Sequence, residues 1–269
     1  KSGEVLGVSH AMINRSTFVY AVLFWPAAVA VAIAFKGWFR ILLGLVLAVT
    51  AVAIVTVSTH QSSQLSIAVS IAVFALAFVC QRCARVVVVA GVAALYLLVV
   101  PFSLYAYQSG WHLDKEVMKT ARARLIYWAY TSERVLERPL LGVGTAATEA
   151  IDSARPKASL EKPRGFVVPL RTTAHPHNSY LQIWYETGAL GALTALALHL
   201  GLFWRTFRVQ GNMQNAAIAF FVLVTAITAP SYGLWQAWFQ SAVGIAAVML
   251  VLTVRQSDSR TRTTAAKAT

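Results

Sequence analysis

The densest run of reactive side chains is Arg171-Thr-Thr-Ala-His175-Pro-His177-Asn178-Ser179-Tyr180. An imidazole titrates near neutral pH, so a histidine here can take a proton from a hydroxyl. Asn178 stands beside it, able to orient a bound substrate or the imidazole itself. Arg171 lies six residues before His177 and suits contact with a phosphate or a glycan, as well as plain solvation. The same histidines also fit a quieter role as interfacial loop residues satisfied by water. Just downstream, Glu186 is the one acid in an otherwise apolar segment, a second base or a partner for an arginine.

The elements that must hold these groups are membrane helices. Of 269 residues, 58% are hydrophobic and only 12% charged, against about 25% charged in ordinary globular domains. Seven apolar stretches reach or approach the roughly 20 residues that cross a bilayer: 17–35, 39–57, 65–80, 84–107, 179–204, 214–232 and 234–254. The expected fold is all-α, a polytopic integral membrane protein with about seven transmembrane helices. In such a chain a net charge of +13 signals topology and anionic substrates, not nucleic acid. Cys80 and Cys83 are too few for a disulfide framework or a four-ligand zinc site, and read as two small residues at a helix end.

Hydropathy divides the chain into a four-helix bundle at 1–107, a polar interval at 108–178, and terminal membrane helices with a tail at 179–269. The interval holds 18 of the 33 charged residues, 11 of them basic and 7 acidic. In the short connections, ten Lys and Arg fall on the side of Lys36, Arg82, Arg205 and the C-terminus, and two, Lys1 and Arg15, on the other. Basic residues favour the cytoplasm, which places the polar interval and its histidines outside. A chain that starts outside, at Lys1, without a leader pattern, suggests further helices upstream. Within the interval, Met118, Ala121, Leu125, Trp128, Ala129, Ser132 and Leu136 recur at helical spacing. That spacing predicts an amphipathic helix over 115–138, flanked by Arg122 and Arg124 and ended by Pro139. The proline-rich stretch 152–176 reads as an irregular loop. Gly188 and Gly191 suit close helix packing, and Tyr180, Trp184 and Tyr185 an interfacial aromatic belt.

Two motifs carry a resemblance. His177-Asn178, nine residues, then Gly188-Ala-Leu-Gly191, inside HNSYLQIWYETGALGAL, closely resembles the signature of the bacterial O-antigen ligase and O-antigen polymerase family. Arg124-Leu-Ile-Tyr-Trp128 followed by Pro139-Leu-Leu-Gly142-Val-Gly144 is similar to that family's outer-loop segment. The resemblance covers about 121–191. It implies a metal-independent, cofactor-free glycosyltransferase of the bacterial inner membrane, with its site facing the periplasm. The donor it implies is a glycan on undecaprenyl diphosphate, and the acceptor a hydroxyl on lipid A-core or on a growing polysaccharide. By position, His177 matches the family's essential histidine and Arg124 an arginine that binds the diphosphate. The chemistry agrees, because a guanidinium is always charged and grips phosphate oxygens through two donors. One departure stands out: the family's arginine at the outer end of an earlier helix is absent from Ser58-Thr-His60-Gln61-Ser-Ser-Gln64. His60 or Gln64 replaces it, or Arg15, Arg122 or Arg171 supplies the contact. That departure is compatible with a polymerase or a divergent exopolysaccharide enzyme. A transporter of lipid-linked glycans is the remaining class, but its charges would lie within the helices.

Overall fold

The computed structural model describes residues 10–154, 175–230 and 232–268, and among them every regular element is helical. Ten α-helices follow in order: α1 (His10–Ala34), α2 (Gly37–Val57), α3 (Gln61–Val79), α4 (Gln81–Leu97), α5 (Val99–Gln108), α6 (Lys119–Glu137), α7 (Thr148–Ala154), α8 (Ser179–Arg205), α9 (Asn212–Thr228) and α10 (Ala237–Ala268). All seven apolar stretches become helical. Five helices are long and apolar enough to cross a membrane; the α4–α5 pair, bent by 67°, makes up to six, and α9 is a shorter apolar helix. The chain is an all-α, multi-pass membrane protein.

The helices form two compact units. One comprises α1, α2, α3, the first turn of α4, α9 and most of α10. Its seam is built from small hydroxyl residues: Ser62, Ser63, Ser66 and Ser70 are buried on α3. Such residues let helices approach closely while returning their hydroxyls to the backbone. Ser66 and Ser70 donate to the carbonyls of Ser63 and Ile67, and Ser70 accepts the Trp25 indole N–H of α1 at 3.0 Å. These buried serines lower the local hydropathy, which is why α3 starts at Gln61, four residues before the apolar stretch. In contrast, α2 is apolar all round and exposes Ile41, Leu45, Val49 and Val52, the pattern of a lipid-facing helix. Cys80 and Cys83 correct the sequence reading. They form a disulfide, their Cα atoms 5.3 Å apart across the α3–α4 turn, because extended Cys80 precedes a fresh helical start that brings Cys83 back over it.

The second unit holds the rest of α4, α5 to α8, and residues 228–239. Here α6 packs on α5. The helix starts at Lys119 rather than 115, since residues 109–118 form turns, and Pro139 ends it as expected. Its buried face contains Leu125, Ala129 and Ser132. Met118 and Leu136, expected on that stripe, are exposed. Met118 is the N-cap, outside the helix. Leu136 sits in the last turn of a 19-residue helix packed on a 10-residue one, beyond the reach of its cover.

The apolar stretch 179–204 is not one straight span. Gly188 adopts φ 62° and ψ −164°, which breaks α8 into two arms, residues 179–187 and 189–205. The ring of Tyr180 then lies 6.2 Å from that of His199, although a straight helix would separate those residues by about 28 Å. The first arm folds back on the second. Tyr96 of α4 closes the core beneath them: its ring meets Tyr180 at 4.8 Å, its hydroxyl His199 Nδ1 at 3.3 Å, and its carbonyl accepts the Trp184 indole at 2.6 Å. These aromatics are core rather than a belt. The second arm exposes Leu190, Leu193, Leu198 and Leu202.

Candidate active site

The two sequence motifs interlock through their backbones. The turn Pro139–Gly144 lies against the break in α8: Ala189 N–H donates to Pro139 O (2.7 Å), Leu190 N–H to Leu140 O (3.2 Å), Val143 N–H to Tyr185 O (3.1 Å) and Gly144 N–H to Glu186 O (2.9 Å). Only glycine fits on either side. Gly142 and Gly188 both have positive φ, and a Cβ on them would lie 2.5 Å and 2.4 Å from the opposing backbone. Gly188 is therefore structural, but through a break and a close approach rather than helix packing.

Glu186 joins the pieces. It is buried at 2% exposure and accepts four neutral donors: Ala146 N–H (2.9 Å), the Thr148 hydroxyl (2.6 Å), the Gln182 amide (2.9 Å) and the Trp235 indole N–H. A buried carboxylate with that many donors is stably held. Its partners are not the arginine considered from sequence. Gln182 also accepts Leu234 N–H at 2.9 Å, so the segment Tyr232–Gln236 is tied twice to the first arm of α8.

His175 packs against that segment. The ring of His175 rests on Gly233, where a Cβ would meet it at 2.7 Å. Its Nε2 faces the Gln236 amide at 3.4 Å, and its Nδ1 accepts the main-chain N–H of His177 at 3.2 Å. Burial first, then His177, pushes His175 down to about 4, so it is neutral at pH 7. His177 is half-buried, packs its ring 4.3 Å from that of His175, and takes φ 53°. Asn178 is the N-cap of α8: its Oδ1 accepts the N–H groups of Tyr180 and Leu181, both at 3.1 Å.

Arg124, on α6, approaches the same segment from another direction. Desolvation holds its guanidinium below the ordinary value, and the Tyr232 phenol partly offsets that. Among the described residues no carboxylate pairs with Arg124; the one ion pair there is Arg134–Glu137. Arg122 is half-buried, its Nε without a hydrogen bond among the described residues. Arg171 lies outside the described residues, as does most of the stretch 152–176; residues 152–154 belong to α7. His60 belongs to the other unit, where it caps α3, contacts the Ser63 hydroxyl through Nδ1 at 2.6 Å and is buried. Among the described residues no three His, Cys, Asp or Glu side chains stand close enough to share a metal ion. Sequence reasoning missed Tyr232, Gly233 and Gln236. The signal was there in the Pro-Ser-Tyr-Gly run at 230–233, a helix breaker rich in polar and aromatic groups between two apolar stretches.

Helices long and apolar enough to cross a membrane, with a cluster of His and Arg beside a broken helix, define a multi-pass membrane protein with a polar centre. Residues 46–196, more than half of the chain, match the O-antigen ligase family, and the chain belongs to that family. Both motifs fall inside the match. Three similar proteins are each named "Putative polysaccharide ligase". The one from Rickettsia conorii is 31% identical over 144 residues, 51% of this chain and 33% of its own. That of Rickettsia prowazekii is 31% identical over 139 residues, 49% and 33%. That of Rickettsia bellii is 31% identical over 142 residues, 49% and 32%. The chain spans about a third of the length of these relatives. No solved structure matches it. Membership supports an enzyme of ligase or glycosyltransferase type.

Proposed function

We propose that the chain carries the site of a lipid-linked glycan transferase, working without metal on the periplasmic face of the bacterial inner membrane. The donor is a glycan on undecaprenyl diphosphate, and the acceptor is a sugar hydroxyl on lipid A-core. One observation supports this most: the five-residue segment Tyr232–Gln236 borders both a desolvated arginine lacking an acid partner among the described residues and the His175–His177 pair.

Arg124 binds the diphosphate and offsets its charge, with Arg122 and Arg171 as further contacts. A partly desolvated cation gains more from an arriving anion than a fully solvated one. His177 takes the proton of the acceptor hydroxyl as its oxygen bonds to the anomeric carbon. The bond from that carbon to the diphosphate oxygen breaks, and the lipid diphosphate leaves with the electron pair. Asn178 is an additional substrate contact in this reading. The missing arginine at 58–64 favours a second reading with the same chemistry, a polymerase adding to a growing polysaccharide.

The test is complementation of a strain lacking the gene by wild type, His177→Ala or Arg124→Ala at matched membrane levels. Loss of product, by a factor of roughly 10² or more, is expected for each. Core without glycan on a gel identifies the ligase, and core with one repeat the polymerase. Normal polysaccharide from both variants overturns the transferase.

A further inference from the structure

His175 lies beside the proposed base, yet the geometry gives its ring no open edge. One nitrogen faces the main chain of His177, the other faces Gln236, and the flat of the ring sits on Gly233. A neutral imidazole has one donor nitrogen and one acceptor. Since Nδ1 accepts the N–H of His177, it carries no proton, and the ring proton is on Nε2. Gln236 presents its Nε2 to that position, while its Oε1 is buried with no hydrogen bond among the described residues. Two donors would then oppose each other and an acceptor would stay unmet. Turning the amide over settles both faults, because oxygen and nitrogen exchange places and Oε1 accepts the Nε2–H. Buried polar groups are nearly always paired, so this arrangement prevails.

We propose that His175 is a positioning residue, locked as the Nε2–H tautomer by Gln236, whose Nδ1 holds the His177 main chain and so aims the His177 ring. His177 needs such a hold, since φ 53° lies in the left-handed region that side-chain-bearing residues rarely occupy. Without an acceptor at Nδ1, the His177 N–H would be unpaired and the main chain could relax toward a negative φ, swinging the imidazole away. The inference rests on the reading of His177 as the base. It gives His175 a supporting role beside that base.

The experiment has two arms, both on the full-length protein. In the first, 15N spectra of histidine-labelled protein in lipid nanodiscs at pH 7 report which nitrogen of His175 is protonated, its signal being the one missing from His175→Asn. A proton on Nε2 is expected, and a proton on Nδ1 overturns the proposal whatever the protein catalyses. In the second, His175→Asn keeps an acceptor in the place of Nδ1, whereas His175→Gln moves it one atom further out. Asparagine should hold kcat within about threefold of wild type, and glutamine should lower it by roughly tenfold or more, with KM for donor and acceptor unchanged in both. A rise in KM, or equal loss in both variants, assigns His175 to substrate binding and overturns the proposal. Full activity in His177→Ala instead removes the base, while the tautomer stands or falls by its spectrum.

Discussion

His175 and His177 have the same side chain, two residues apart, and opposite proposed duties. The difference comes from burial, since His175 is only 8% exposed while its neighbour is half-buried. The consequence can be measured as stability against pH. The folded value of His175 is about 4, and the unfolded one about 6.5. Between them the unfolded chain binds the proton that the folded chain refuses. The contribution of the neutral ring is complete above pH 6.5 and is lost as pH falls toward 4, at most about 3 kcal/mol. The groups facing that ring are His177, Gln236 and Gly233, with Tyr232 linking to Arg124. The melting midpoint should therefore fall from pH 8 to pH 5, and fall less in His175→Asn. Equal falls would show that His175 is not the group responsible. The sequence displayed the histidine cluster but not this division of labour, because the decisive partner of His175 lies 61 residues away in Gln236. Asn178 is the converse case. Asparagine just ahead of an apolar helix is a local capping signal, and its cap was open to reading from residues 178–181 alone.

Among the elements, the break in α8 determines where the site falls. Hydropathy windows sum side chains and are blind to φ, so 179–204 reads as a single span. The Gly-x-x-Gly spacing hinted at close approach, but not that a turn 40 residues upstream would fill the break. The interlock makes a clear demand at Gly188: positive φ and no room for a Cβ. Gly188→Ala should destabilise by roughly 2–4 kcal/mol, combining left-handed backbone with overpacking. Gly44→Ala is the matched control, since it sits within α2 and a Cβ there meets nothing within 4 Å. That change should be neutral or slightly stabilising, by up to ~1 kcal/mol, as alanine is the better helix former. Thermal unfolding of the two variants in detergent measures the contrast, and similar midpoints would mean that the 139–144 turn does not hold the break. The amphipathic α6 was readable at once from its period, and its ends moved only where turns and the short α5 intervened.

At the scale of the whole molecule, charge distribution predicts direction. All seven apolar stretches were found from sequence because burial in lipid demands long apolar runs, a requirement that tertiary packing cannot override. Exposed leucines on α2 and on the second arm of α8 agree with that medium. Orientation is a separate question, decided by basic residues in short connections. Ten of them against two give a bias that predicts a cytoplasmic C-terminus. The same bias predicts a polar interval outside, even with 11 basic residues of its own, since long loops translocate largely regardless of charge. Proposed chemistry depends on this. An acceptor on the outer face can meet His177 only if the interval is there too. Alkaline phosphatase inserted after Glu149, an exposed position on α7, should be active, and green fluorescent protein fused after Thr269 should fluoresce. Phosphatase works only outside the cytoplasm, and the fluorescent protein matures only within it. If both signals invert, the histidines face the cytoplasm, where no outer-face acceptor is present, and the transferase would need an acceptor from the inner side. If both hold, the desolvated Arg124 and the His175–His177 pair open toward the compartment in which the proposed transfer takes place.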